Sequence, residues 1–193
     1  PQSVYDNLLA GALNNYWDTN IDNPDKNYYK RVVTGAVRGV DYIASLSQWD
    51  GKTIGVTGAS QGGFLSLAVA ALDKRITFLG VVHDAMCDYS AEVHGVAGGW
   101  PHYFYKNTDK SLKVKVDASM YYDGVNFARR INVPGWYSFG YNDEVVPPTS
   151  SYGLYNIVTA PKKLSVYQQT GHYWYQEQWD EWQNYIKEHL NVK

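Results

Sequence analysis

Two kinds of apolar spacing alternate along the chain. From Tyr28, the positions Val33, Ala36, Val37, Val40 and Ile43 recur at three- to four-residue intervals, which predicts one apolar helix face. Asp50-Gly51 marks a turn. The next run, TIGVTG (53–58), is short, apolar and β-branched, the pattern of a parallel strand buried on both faces. FLSLAVAALDK then reads as a helix. FLGVVH (78–83), VPGWYSFG (133–140) and KLSVYQ (163–168) predict three further strands. Pro147-Pro148 predict the opening of a helix near 149–158, because proline suits a first helical turn. A last helix is expected over about 174–190, with Trp179, Trp182, Ile186 and Leu190 on one face. Before Tyr28 the reading is a short helix near Val4–Leu13 and a polar, turn-rich loop. Residues 84–130 form a long excursion with weak helical patterns and many aromatics. Strands alternating with helices predict an α/β fold with a mostly parallel sheet of about four strands between helical layers. No internal repeat or low-complexity linker interrupts residues 1–193, so one domain is expected.

Composition narrows the function more than the fold. With 45% hydrophobic and 19% charged residues, the chain can fold around a core. The net charge is −2 and no Lys/Arg run occurs, which argues against nucleic acid or an anionic membrane as partner. No apolar run approaches the roughly 20 residues of a membrane helix, and no signal peptide is expected. The single cysteine, Cys87, reads as a small buried or half-buried apolar residue and is a weak candidate for a nucleophile. The 18 tyrosines and 7 tryptophans could stack on sugars or simply fill the core and surface grooves, and composition does not say which.

Candidate chemistry concentrates where strands end. Gly58-Ala59-Ser60-Gln61-Gly62 fits G-x-S-x-G and falls between a predicted strand and a predicted helix. A nucleophile at such an elbow has strained backbone angles and close neighbours, and the flanking glycines remove side chains that would clash. The turn also places Ser60 at a helix N-terminus, whose partial positive charge favours a developing oxyanion. The backbone N–H of Gln61 is the expected oxyanion donor, since it follows the nucleophile. A serine hydroxyl needs a base, expected late in the chain in the order Ser, acid, His. His172, directly after the fourth predicted strand, fills that place. His83, at the end of the second strand, is the competitor, and His189 reads as solvated. The acid is expected after the third strand, where Asp143 is preferred, with Glu144, Asp84 and Asp88 as fallbacks. No Cys/His spacing fits a metal site, and no phosphate loop or dinucleotide glycine pattern occurs, so no metal or cofactor is expected. The constellation is that of an α/β-hydrolase.

With these residues in view, the chain resembles the acetyl xylan esterase / cephalosporin-C deacetylase family of carbohydrate esterases. GVTGASQGG resembles the family's nucleophile signature, with Gln after the serine. NYYKRVVTGAVRGVDYIASL is similar to the helix before that strand. YYDGVNFARRINVPGWYSFGYNDEVVPPTSSYGLYN resembles the segment carrying the acid, and KKLSVYQQTGHYW the histidine segment. The resemblance runs from about Tyr28 to the C-terminus. It implies triad roles for Ser60, Asp143 and His172, an oxyanion amide at Gln61, and removal of small acyl groups, chiefly acetyl, from xylan fragments or similar esters. The chain departs from the family at Tyr173, where a Glu is usual, and has no counterpart of an upstream Arg-Gly-Gln element.

A complete α/β-hydrolase has about eight strands, with the nucleophile after the fifth. Here the nucleophile follows the first, so the chain reads as the C-terminal half of a catalytic domain. The second oxyanion donor would lie in the other half, and losing one donor costs roughly 2.7–4 kcal/mol. The expectation is a weakly active isolated chain with one open sheet edge, a route to homo-oligomers. Polysaccharide breakdown favours export to periplasm or medium, with the cytoplasm as the alternative. A serine hydrolase of other specificity (peptidase or lactone hydrolase) and a non-catalytic carbohydrate-binding or interaction domain with a relic triad are the rival readings.

Overall fold

Among the described residues, four short strands form the sheet: β1 (Gly55–Ala59), β2 (Phe78–Val82), β3 (Gly135–Gly140) and β4 (Lys162–Tyr167). The computed structural model describes residues 1–105 and 112–190. All neighbouring strands pair in parallel, in the order β1-β2-β3-β4, with Ala59 opposite Val82, Val82 opposite Ser138 and Gly140 opposite Tyr167. Every residue of β2 and β3 is buried, whereas β1 and β4 are only partly covered. This explains the unbroken apolar runs at β2 and β3, since both faces of each strand lie under helices.

Among the described residues the α-helices are α1 (Gln2–Ala10), which buries none of its residues, α2 (Tyr28–Ser45), α3 (Gln61–Leu72), α4 (Leu112–Ser119), α5 (Gly124–Ala128), α6 (Pro148–Ile157) and α7 (Gln176–Leu190). The Asn27 side chain caps α2 by accepting from the Tyr29 amide at 2.9 Å, and α6 opens on Pro148. On one face of the sheet, Leu79, Val81 and Tyr137 pack with Val40 of α2, Leu67 and Ala70 of α3, Ala128 of α5 and Leu154 of α6. On the other, Phe78, Val82 and Trp136 pack with Tyr185 of α7, flanked by Trp182 and Ile186. The result is three layers, αβα. A third cluster joins Tyr29, Phe64 and Ala68 to Met86, Tyr89, Phe104 and Val146, so the excursion after β2 is fastened over the sheet by aromatic packing. Full burial of one large apolar side chain contributes about 1.5–3 kcal/mol.

Two predicted stripes shift. On α7, Trp179 and Leu190 are 39% and 44% exposed, while Gln178 and Tyr185 are buried. The packed face runs through 178, 182 and 185, because Gln178 donates to Ser138 Oγ at 2.8 Å beneath the sheet and turns the helix about its axis. On α2 the stripe holds for Val33 and Val40, but Ile43 is exposed. The predicted helix near Val4–Leu13 is α1, which ends at Ala10, before Gly11. The excursion contains α4 and α5, while residues 106–111 of it lie outside the described residues. Among the described residues β1 has no neighbour beyond β2, which leaves a sheet margin where an open edge is expected.

Candidate active site

Parallel pairing sends all four strand ends to one edge of the sheet, and the loops leaving that edge carry the candidate residues. Ser60 sits between β1 and α3 at φ 55°, ψ −122°, the strained elbow anticipated for a nucleophile. Its amide donates to the Val82 carbonyl at 2.9 Å, and its carbonyl accepts from the Phe64 and Ala85 amides at 3.2 and 3.3 Å. Three elements thus hold one residue. Gly58 is required here. A Cβ on it would lie 2.3 Å from the Gly62 carbonyl oxygen, a backbone atom with nowhere to go. Gly62 differs from the expectation, because a Cβ there would meet nothing within 4 Å; the close approach belongs to Gly63, 3.1 Å from the Val82 carbonyl oxygen. Gly62 contributes its backbone to the crowding and not a vacant side-chain position.

Asp143 leaves β3 in a tight loop and is buried. Its Oδ1 accepts from the Val145 and Val146 amides at 2.9 and 2.8 Å, which orients the carboxylate. Its Oδ2 lies 2.8 Å from His172 Nδ1, and His172 Nε2 lies 3.0 Å from Ser60 Oγ. The carboxylate accepts, so Nδ1 of His172 carries the proton and Nε2 is free to accept from the serine hydroxyl. Burial opposes ionisation of Asp143. Hydrogen bonds from His172 and the Val146 amide, with the His83 ring alongside at 3.2 Å, outweigh it, and the carboxyl is held well below the usual carboxylate range. The loops of Asp143 and His172 are sewn together. The Asn142 amide donates to the Thr170 carbonyl at 2.9 Å, and its side chain donates to the Gln168 carbonyl at 2.9 Å. Gly140 permits this approach, since a Cβ there would stand 2.4 Å from the Thr170 carbonyl oxygen.

Gln61, in the first turn of α3, has a backbone N–H with no intrahelical acceptor, pointing from a helix N-terminus. Its side chain is held elsewhere: Oε1 accepts from the Tyr29 hydroxyl at 3.1 Å, and Nε2 donates to the Tyr16 hydroxyl at 2.8 Å. Sequence reasoning missed both tyrosines. They lie 32 and 45 residues from Gln61, and no local pattern marks such a contact.

The fallback carboxylates stand apart. Glu144 is exposed at the edge of a cavity of about 590 Å³ shared with Gly95, Val96, His102 and Tyr105. Asp84 is buried and accepts from Cys87 Sγ at 3.0 Å, and burial lifts its carboxyl to about 6. Cys87 is the buried small residue expected, with its thiol pushed up by burial. His189 is not solvated as read. It is half-buried, its Nδ1 bonded to the Tyr185 carbonyl at 2.9 Å and its ring 4.8 Å from that of Phe78. Among the described residues, ring nitrogens of His83 and His172 and a carboxylate oxygen of Asp143 lie within 4.8 Å of one another, and His172 spends both of its ring nitrogens on Asp143 and Ser60.

The sequence model of the acetyl xylan esterase family (AXE1) matches residues 16–189. The chain belongs to the acetyl xylan esterase family. Acetyl esterase Axe7A of Xylanibacter ruminicola is 45% identical over 150 residues, 78% of this chain and 34% of that protein. The acetyl xylan esterase of a Paenibacillus species superposes with a TM-score of 0.82 at 29% identity, covering 90% of this chain and 57% of that one. Acetyl Xylan Esterase 1 of a Thermoanaerobacterium species gives 0.79 at 24% identity over 91% of this chain and 58% of that one, which speaks for the fold. The chain therefore spans between a third and three-fifths of the length of these acetyl xylan esterase relatives. Puromycin hydrolase, at a TM-score of 0.69 and 15% identity, shares the α/β-hydrolase fold alone.

Proposed function

We propose that this chain carries the nucleophile half of a serine carbohydrate esterase that removes acetyl groups from xylan or xylo-oligosaccharides. The supporting observation is the unbroken line from Ser60 Oγ through His172 to the buried Asp143, at 3.0 and 2.8 Å. In this reading His172 Nε2 takes the Ser60 proton as Oγ attacks the ester carbonyl. The oxyanion forms at the N-terminus of α3 within reach of the Gln61 amide. Asp143 keeps the imidazole in the correct tautomer and stabilises the imidazolium. His172 returns the proton to the leaving sugar oxygen, giving acetyl-Ser60 and the free hydroxyl. Water, deprotonated by His172, then releases acetate and restores Ser60. Membership of the acetyl xylan esterase family and the names of the relatives support the acetylated saccharide as substrate. No step calls on a metal or cofactor. The β1 margin makes a second copy of the chain a candidate partner.

A panel of acetylated xylo-oligosaccharide, peptide amide and lactone substrates tests the reading. It predicts acetate release that vanishes in Ser60→Ala. Turnover of the peptide or lactone with the acetyl ester untouched would replace it with the rival specificities, and no Ser60-dependent turnover at all would favour a binding domain.

A further inference from the structure

His83 is the residue at this edge that the mechanism leaves unused. It follows β2 directly and is 2% exposed, yet neither ring nitrogen has a hydrogen-bond partner among the described residues. Its backbone is at φ 47°, in the left-handed region that a non-glycine residue seldom occupies. Strain and an unsatisfied buried ring both disfavour the folded state, and such features persist where the surroundings impose them. Here the surroundings are the triad. His83 Nδ1 stands 3.2 Å from Asp143 Oδ2, the same oxygen that receives His172 Nδ1 at 2.8 Å, without the alignment of a hydrogen bond. The His83 and His172 rings lie 5.2 Å apart, and Trp174 meets the His83 ring edge-on at 6.4 Å, closing the far side. The His83 amide donates to the Ser138 carbonyl at 2.9 Å, so β3 fixes the backbone that aims the ring.

We propose that His83 is a positioning residue that shares the Asp143 carboxylate with His172 and sets the pH at which His172 becomes a free base. The inference rests on the esterase reading of the triad. An Nδ1–H of His83, 3.2 Å from Oδ2 though out of line for a hydrogen bond, draws through its dipole on the same negative charge that stabilises the His172 imidazolium. With His83 present, Asp143 supports the imidazolium less and the base is freed at lower pH. Removing the ring leaves the whole carboxylate to His172, so the imidazolium persists to higher pH. The charged and titratable groups facing this pair are Asp143, His172 and, from the loop after β2, Asp84. Burial raises the Asp84 carboxyl beside His83, so each comparison is repeated in an Asp84→Asn background.

Two measurements on the folded chain carry the test. The first is nitrogen NMR of the His83 ring in the unaltered chain, which requires no activity. Sharing requires the Nδ1–H tautomer, and an Nε2–H tautomer overturns the proposal. The second is the pH profile of Ser60 modification by a fluorophosphonate. In His83→Leu the midpoint is expected to rise by roughly 0.5–1 pH unit. In His83→Gln, whose amide can still donate, it rises less than half as far. Midpoints unmoved in both variants overturn the proposal and leave His83 as packing. If the leucine variant does not fold, His83→Asn, with an amide too short to reach, takes its place. An unaltered chain whose Ser60 never reacts counts against the esterase reading, while the tautomer still decides the role of His83.

Discussion

Gly58→Ala is the substitution whose outcome the geometry specifies most sharply. The added Cβ would sit 2.3 Å from the Gly62 carbonyl oxygen and 2.4 Å from its carbonyl carbon. An ordinary contact needs about 3.4 Å, so the first turn of α3 must lift by about 1 Å or β1 must recede by as much. Neither is free to move, since β1 is hydrogen-bonded to β2 and Ser60 is tied to Val82, Phe64 and Ala85. Overpacking of a tight site costs about 1–3 kcal/mol. The same displacement carries Ser60 Oγ away from His172 Nε2, now 3.0 Å distant, and a misplacement of about 1 Å lowers reactivity about 10²-fold. Gly62→Ala is the control. Its Cβ meets nothing, and alanine in place of glycine within a helix is favoured by about 0.5–1 kcal/mol. Urea denaturation gives the stability change, and the rate of fluorophosphonate modification of Ser60 gives the reactivity. The expected pattern is a destabilised, slow Gly58→Ala beside a Gly62→Ala at least as stable as the parent. Equal damage from the two changes, or none from Gly58→Ala, would refute the crowded-elbow account.

Other outcomes follow from the same contacts. Asp143→Asn removes the acceptor that fixes the His172 tautomer, so turnover should fall by about 10³–10⁴ while the fold persists, as read by kcat and circular dichroism. The lowered Asp143 carboxyl adds stability that is complete above the ordinary carboxylate range and fades as acid drives pH down through it. The parent should therefore lose more stability than Asp143→Asn between pH 5 and about 2, and parallel acid titrations of the two would contradict this. Gln178→Leu strips Ser138 Oγ of a donor beneath the sheet and should cost about 1–3 kcal/mol in urea denaturation without moving KM. If residues of a chain extended to the length of its relatives supply a second oxyanion donor beside the Gln61 amide, that chain should turn over acetyl esters about 10²–10³ faster than residues 1–193; equal rates would place that donor within residues 1–193.

Much of this architecture is legible in the residue order because its determinants are local. TIGVTG and VPGWYSFG announce strands by composition alone; β3 forms within the second and is buried throughout, whereas β1 runs one residue past the first to Ala59 and, at the sheet margin, is only partly covered. Ser60, Asp143 and His172 could be picked out because each lies just past a strand end, and parallel pairing brings such ends together. Contacts made at long range stayed hidden. Tyr16 and Tyr29 on the Gln61 side chain, or Tyr103 donating to the Trp17 carbonyl, depend on how the excursion folds back over the sheet. The rotation of α7 arises from a buried polar residue, Gln178, which an apolar stripe cannot register. His189 looked like a surface residue because its partners, Phe78 and the Tyr185 carbonyl, are a strand and a helical turn away.

The most direct test of the triad is mass spectrometry of the folded chain after reaction with a fluorophosphonate, in the parent and in His172→Ala. Cooperation of hydroxyl, imidazole and carboxylate predicts one phosphonyl group per chain, on Ser60, and a rate reduced by about 10²–10⁴ when the imidazole is gone. Modification of Ser60 at the same rate in both proteins would contradict it.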